Sequence, residues 1–174
     1  DEDHGDFSAV LSALREKYGS TVCALTAPTS DGKGVIDIVN KVAYTTNGNK
    51  TVKGAVSGDD SAMVEELREA LNETAAGASE ELMEKFFEAM ELTDAEAAEG
   101  IKLGVKDRAV IPVFCGCAAS NVGTQAFMQG VVDYVPSPAS VDGIDPNGPT
   151  AGFVFKTVSD QFGKYSLVKV MRGN

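Results

Sequence analysis

A continuous apolar run in the second half of the chain places the tightest limit on its fold. The seven residues from Ala109 to Cys115 read AVIPVFC and lie between a charged segment and a glycine. A strand covered on one face alternates apolar and polar residues, whereas a strand of a parallel sheet is apolar throughout. The run therefore predicts a strand that is buried on both faces, as in a parallel sheet.

The residues after this run predict a loop and then a helix. The segment from Cys117 to Gly123 is loop-like, and apolar residues recur at helical spacing from Thr124 to Tyr134. This spacing puts Phe127, Val131 and Tyr134 on the inner face of the helix. A strand, a loop and a helix in this order are typical of an α/β protein.

The negative charge of the chain is concentrated in one segment. The 174 residues carry 15 Lys+Arg against 26 Asp+Glu, which gives a net charge of −11. Between Asp59 and Glu99, 14 acidic residues accompany two basic ones, whereas the rest of the chain has a net charge of +1. Helical spacing of apolar residues predicts three helices here, the last opened by a capping box of Thr93 and Glu96.

The acidic helices leave two interpretations open, a solvated surface and a docking surface for a basic partner. We expect no direct nucleic-acid binding by this segment, because a polyanionic surface repels another polyanion. Adjacent glutamates such as Glu65 and Glu66 do not face each other on a helix, so paired acid–base catalysis is not expected of them. We expect neither a catalytic residue nor a metal site in the chain.

Compartment signals favour a cytoplasmic protein without a membrane segment. The chain contains no run of 18 apolar residues, and its first residues lack the basic and apolar parts of a signal peptide. Its three cysteines include the pair in Cys115-Gly116-Cys117, a spacing that differs from zinc and redox motifs. The absence of an initiator Met leads us to expect a piece of a longer protein.

The last part of the chain predicts a hairpin. Residues 139–150 are rich in Gly, Pro and Asp, which indicates a linker. Two alternating segments follow, Ala151 to Val158 and Lys164 to Arg172. Because a two-stranded hairpin is marginal in water, we interpret it as the opening of a larger β domain.

Motifs spread over nearly all 174 residues resemble, in order and spacing, the elongation factor G family of translational GTPases. The segments that carry this resemblance are Gly34-Val35-Ile36-Asp37, Ala78 to Phe86, Glu91-Leu92-Thr93, Cys115-Gly116-Cys117-Ala118, Gly123-Thr124-Gln125-Ala126, Val135-Pro136-Ser137-Pro138 and Phe153 to Gly173.

The resemblance implies an α/β fold with an α+β insert, the C-terminal part of a P-loop GTPase domain followed by the first hairpin of a β-barrel domain. Its implied boundaries are a G-domain helix at 1–20, an inserted subdomain at 21–108 with acidic helices at 61–105, the last strand and helix of the G domain at 109–138, a linker at 139–150 and the start of the second domain at 151–174.

The resemblance also implies which nucleotide-binding parts the chain contains. The parent protein would bind GTP and Mg²⁺, but the phosphate loop GxxxxGK[ST] and the switch segments are absent from this sequence, so we expect no cofactor here. Asp1 corresponds to the guanine-reading carboxylate. The loop with Cys117, Ala118 and Ala119 corresponds to the second guanine contact, with Cys117 where the family usually has Ser and Ser120 where it often has Lys.

Two functions follow as expectations. In the first, the chain is a fragment of a ribosome-dependent GTPase that promotes translocation, and alone it does not hydrolyse GTP. In the second, it is a non-catalytic module whose acidic helices dock the C-terminal domain of the ribosomal stalk protein or another basic partner. The candidate docking residues are Glu65, Glu66, Glu69 and Glu73.

Overall fold

The computed structural model describes residues 5–48, 50–137, 145 and 147–172. The fold is mixed α/β, as the sequence predicts. The chain divides between Val135 and Pro136 into two compact units. None of the helices in the described part is both long and apolar enough to cross a lipid bilayer.

The described residues of the first unit form five α-helices and six strands. In chain order they are α1 (Phe7–Tyr18), β1 (Val22–Ala24), β2 (Thr26–Pro28), β3 (Gly34–Asp37), β4 (Val42–Asn47), β5 (Lys50–Ala55), α2 (Ser61–Ala76), α3 (Glu80–Ala89), α4 (Asp94–Lys106), β6 (Ile111–Val113) and α5 (Thr124–Tyr134).

Strands β1 and β6 form a small parallel sheet, in which Val22 pairs with Ile111 and Ala24 with Val113. The predicted parallel pairing is therefore confirmed. The predicted burial on both faces is wrong, because the strand covers only three residues and Ile111 is 42% exposed. In the described part of the chain β6 has one neighbouring strand, so its other edge pairs with no strand there.

A second, antiparallel sheet has the strand order β2-β3-β4-β5. Leu25 joins the two sheets, because its N–H donates to Val113 O (2.9 Å) and its carbonyl accepts from Ile38 N (3.0 Å). The parallel sheet thus includes β1, which lies inside the predicted insert 21–108.

The three predicted acidic helices form as α2, α3 and α4, and their inner faces build much of the core. The Thr93 capping box is present: Thr93 Oγ1 accepts from Glu96 N (3.3 Å), and Glu96 Oε2 accepts from Thr93 N (3.1 Å). Ser79 likewise caps α3 by accepting from Leu82 N (3.2 Å). Large side chains at the centre of the core are Leu25, Ile36, Ile38, Leu71, Leu92 and Ile101.

Helix α5 lies as predicted in sequence, and of its predicted inner residues Tyr134 is buried and Val131 is half-buried, whereas the prediction is wrong for Phe127. Ala126, Gly130 and Tyr134 are buried, whereas Phe127 is 46% exposed. One side of the Phe127 ring packs edge-on against Phe114, with centroids 5.5 Å apart. The small residues face the rest of the unit because they let the helix backbone approach it closely.

The second unit contains the predicted hairpin, with strands β7 (Ala151–Asp160) and β8 (Gly163–Arg172). The turn is closed by Asp160, whose Oδ1 accepts from Phe162 N (2.7 Å) and Gly163 N (3.1 Å). Nearly every side chain of the two strands is exposed. Most of the predicted linker 139–150 lies outside the described residues.

Candidate functional site

A cavity of about 590 Å³ lies between the start of α1 and the loop that follows β6. Asp6 caps α1 by accepting a hydrogen bond from Ala9 N (2.9 Å), which holds the start of this helix beside the cavity. Across from it lie Cys115, Cys117 and Ser120. The cavity therefore joins residues more than one hundred positions apart in sequence.

Internal hydrogen bonds hold the loop after β6 in shape. Cys115 N donates to Thr26 Oγ1 (2.8 Å), and Cys117 N donates to Val122 O (2.8 Å). Gly123 closes the loop with a φ of +79°, and a Cβ there would lie 2.8 Å from Cys115 O. Only glycine accommodates both this positive φ and this close approach without strain.

The guanine-contact residues implied by the resemblance lie only partly beside this cavity. Cys117 lines the cavity, and it also lines an adjoining recess of about 300 Å³ together with Ala118. Ala119 is exposed and lines neither of these two spaces. Asp1 lies outside the described residues.

The two cysteines of the loop differ in acidity. Hydrogen bonds from the Ser120 hydroxyl and the Ser120 amide hold the pKa of the Cys117 thiol below its usual value. Burial raises the pKa of the Cys115 thiol, although a hydrogen bond with Thr26 opposes this. Cys117 is thus the thiol of this cavity that deprotonates more readily, and its sulfur is suited to accept hydrogen bonds.

The four candidate docking glutamates are exposed on α2, but they border different depressions. Glu65 and Glu69 line a groove of about 440 Å³ against α3. Glu73 lines a recess of about 380 Å³ beside Arg15 and Gly19. Glu66 is exposed and lines none of these depressions. The four residues are thus all exposed, as a docking surface requires, but they do not line one common depression.

Sequence reasoning missed Arg68, which is 4% exposed despite its charge. Its guanidinium donates to the carbonyls of Ile38 (3.3 Å), Val39 and Leu92 (3.3 Å), and it pairs with Asp94 at 2.9 Å. Arg68 follows Leu67 on the core side of α2. A basic residue on the apolar face of a predicted helix is the sequence feature that could have predicted this buried ion pair.

Asn72 is also buried in α2, one turn after Arg68, with 4% exposure. Among the described residues, neither Asn72 Oδ1 nor Arg68 Nε has a hydrogen-bond partner. Buried polar atoms are nearly always paired, so these two need an explanation. Both residues line the groove that Glu65 and Glu69 border.

The fold is similar to that of a solved protein. A crystal structure from Thermus thermophilus matches with a TM-score of 0.83 and 24% sequence identity. The match covers 97% of this chain and 26% of the Thermus chain, so this chain spans about a quarter of that protein's length. At this level of identity the likeness shows a shared fold. No protein-family model matches the sequence.

Proposed function

We propose that this chain is part of a ribosome-dependent GTPase of the elongation factor G type, whose parent protein promotes translocation. The observation that carries the proposal is the cavity between the start of α1 and the loop after β6. The resemblance assigns one guanine-reading segment to the loop after β6 and the other to Asp1, which precedes α1 in sequence and lies outside the described residues. Segments that contact one base must adjoin one cavity, although a long insert separates them in sequence.

The strand topology gives further support. Helix α1 leads into β1, β6 pairs in parallel with β1, and α5 follows β6 after a loop. The antiparallel sheet and helices α2 to α4 are inserted between β1 and β6. This is the arrangement expected of the last part of a G domain that contains an inserted subdomain.

The two residues that the resemblance assigns to the base suit its recognition. By the resemblance to the elongation factor G family, the Ala118 amide would donate to the guanine carbonyl. The carboxylate of Asp1 would accept from guanine N1–H and the 2-amino group. Adenine lacks this donor pair and would leave the carboxylate unpaired, which disfavours it. Because the sequence of this chain contains no phosphate loop, a segment of the parent outside this chain would have to hold the GTP phosphates and Mg²⁺.

Titration of fluorescently labelled GTP tests the proposal on the chain itself. We expect no tight, Mg²⁺-dependent binding, because the base cavity has no phosphate-binding partner in this sequence. The coding sequence that precedes Asp1 provides the second test, since the proposal requires it to encode GxxxxGK[ST]. Tight binding by the chain, or an upstream sequence without that motif, would overturn the assignment.

A second candidate function is a docking module for a basic protein, such as the C-terminal domain of the ribosomal stalk protein. The specific observation in favour is that all four glutamates of the set Glu65, Glu66, Glu69 and Glu73 are exposed on one helix. Of the ion pairs among the described residues, none includes any of these four. Uncompensated charge of this kind steers an oppositely charged partner.

Charge reversal tests the docking function with the purified stalk C-terminal domain as partner. Glu66→Lys and Glu73→Lys together should slow association at low salt by about tenfold, with a smaller effect at high salt. Glu16→Lys, an exposed position on α1, is the control for a general charge effect. If the double variant with Glu66→Lys and Glu73→Lys associates as fast as the wild type, the docking function is contradicted.

A further inference from the structure

A buried hydroxyl of the antiparallel sheet holds the start of the loop after β6. Thr26, the first residue of β2, is 2% exposed. Its Oγ1 accepts a hydrogen bond from Cys115 N (2.8 Å) and donates one to Cys115 Sγ (3.6 Å). One side chain therefore fixes both the backbone and the thiol of Cys115, which precedes Ala118 in the loop.

The end of the same loop lies against β3, the next strand of that sheet. A Cβ built at Gly123 would lie 3.0 Å from Val35 Cγ1, and Val35 is 1% exposed. Val35 belongs to a small buried cluster, against which Cys115 and Val122 pack. Both ends of the loop are therefore in contact with residues of the antiparallel sheet.

The middle of the loop is more open than its two ends. Cys117 N donates to Val122 O (2.8 Å), whereas Ala118 is exposed. The position of the Ala118 amide therefore depends on how the residues on either side of it are held. A hydrogen bond weakens steeply as its angle departs from linear, so a small shift of the loop would weaken any bond that this amide donates to a ligand.

We propose that the inserted antiparallel sheet sets the base selectivity of the cavity, with Thr26 and Val35 as positioning residues for the loop after β6. This inference rests on the proposed function, in which the Ala118 amide donates to the guanine carbonyl. Thr26 lines neither the cavity nor the adjoining recess, so it acts through Cys115 and not by touching the base. The insert thereby takes part in base recognition in addition to any docking through its helices.

NMR relaxation of the chain itself tests whether Thr26 holds the loop. Thr26→Val keeps the shape of the side chain and removes the hydroxyl, whereas Thr26→Ser keeps the hydroxyl. We expect the order parameter of the Ala118 amide to fall from about 0.85 to about 0.6 in the valine variant and to be restored in the serine variant. An Ala118 amide that stays as rigid in Thr26→Val as in the wild type overturns the positioning role.

A second pair of variants tests the other end of the loop, and it decides the question if Thr26→Val does not fold. Val35→Ala removes the contact at Gly123, and Val39→Ala removes the same atoms from the main core, in a different buried cluster. We expect Val35→Ala to lower the order parameter of the Ala118 amide and Val39→Ala to leave it unchanged. Equal effects of the two changes would show a general loss of stability and would overturn the proposal.

Nucleotide analogues bound to the parent protein separate this inference from the proposed function. Thioguanosine diphosphate has sulfur, a weak acceptor, in place of the base carbonyl oxygen, and inosine diphosphate lacks the 2-amino group. We expect Thr26→Val, or Val35→Ala in its place, to narrow the preference for GDP over the thio analogue by about fivefold. The preference for GDP over inosine diphosphate should stay within about twofold, because the contact assigned to Asp1 is untouched.

The outcomes of this comparison are distinct. A parent that binds no GDP overturns the proposed function, and the base-selectivity role of the insert with it. A parent that binds GDP but keeps the wild-type preference over the thio analogue in the variant overturns this inference alone. Equal narrowing of both preferences would show a general weakening of the cavity and would also overturn this inference.

Discussion

Asp60 shows how one buried carboxylate connects distant segments. It is 4% exposed, and it accepts hydrogen bonds from Ser30 N and from Ser57 Oγ, both at 2.8 Å. Burial alone would raise the pKa of this carboxyl, but the hydrogen bonds from Ser57 and Ser30 outweigh burial and lower it. The ionised form therefore ties the turn before β3 to the start of α2.

Asp60→Asn should consequently destabilise the protein in a pH-dependent way. A carboxyl whose pKa is lower in the folded than in the unfolded state stabilises the protein above about pH 4. This stabilisation is lost as the pH falls through the folded pKa. We expect a loss in the free energy of unfolding at pH 7 that shrinks at pH 3, measured by urea titration. Asp59→Asn, the exposed neighbour, is the control. A loss of equal size at both pH values would contradict this explanation.

Position 100 in α4 requires glycine because of a close contact and not because of its backbone angle. A Cβ at this position would lie 2.4 Å from Ala75 O and 2.8 Å from Ala75 Cβ, so α2 and α4 touch here. Gly100→Ala should lower the free energy of unfolding by about 2 kcal/mol through overpacking. Gly54→Ala, where a Cβ would meet nothing within 4 Å, should leave it nearly unchanged. Similar losses in the two variants would contradict the close helix contact.

Among the elements, α4 depends most visibly on its capping box. Thr93→Ala removes the acceptor for Glu96 N and should cost about 1 kcal/mol in the free energy of unfolding. Thr93→Ser keeps the hydroxyl and should retain most of that stability. Chemical denaturation of both variants measures the difference. If the serine variant is as unstable as the alanine variant, the cap is not the source of the effect.

For the whole molecule, the two units should differ in local stability. Strands β7 and β8 pair with each other but bury almost no side chains, whereas Val35 and Ile36 of β3 are at most 1% exposed. Amides of the β7–β8 hairpin should therefore exchange with solvent much faster than those of β3. Hydrogen exchange followed by NMR checks this. Comparable protection in β3 and in the hairpin would contradict it.

The sequence by itself determined the features that depend on neighbouring residues. The α/β class, the capping box of α4, the terminal hairpin and the exposed glutamates of α2 all follow from spacing and turn chemistry within a few positions. Such signals survive folding because their physical cause is local: a side chain either reaches the adjacent amide or faces away from its own helix.

Only the tertiary structure decided which residues are covered and which meet. The apolar strand β6 is partly exposed, because in the described sheet it has one neighbouring strand. Phe127 is exposed because α5 packs through its small residues. The burial of Arg68 and Asn72 depends on carbonyls and helices contributed by other segments. Burial is a property of the assembled partners, and neither the cavity between α1 and the loop after β6 nor the groove between α2 and α3 exists before distant segments meet.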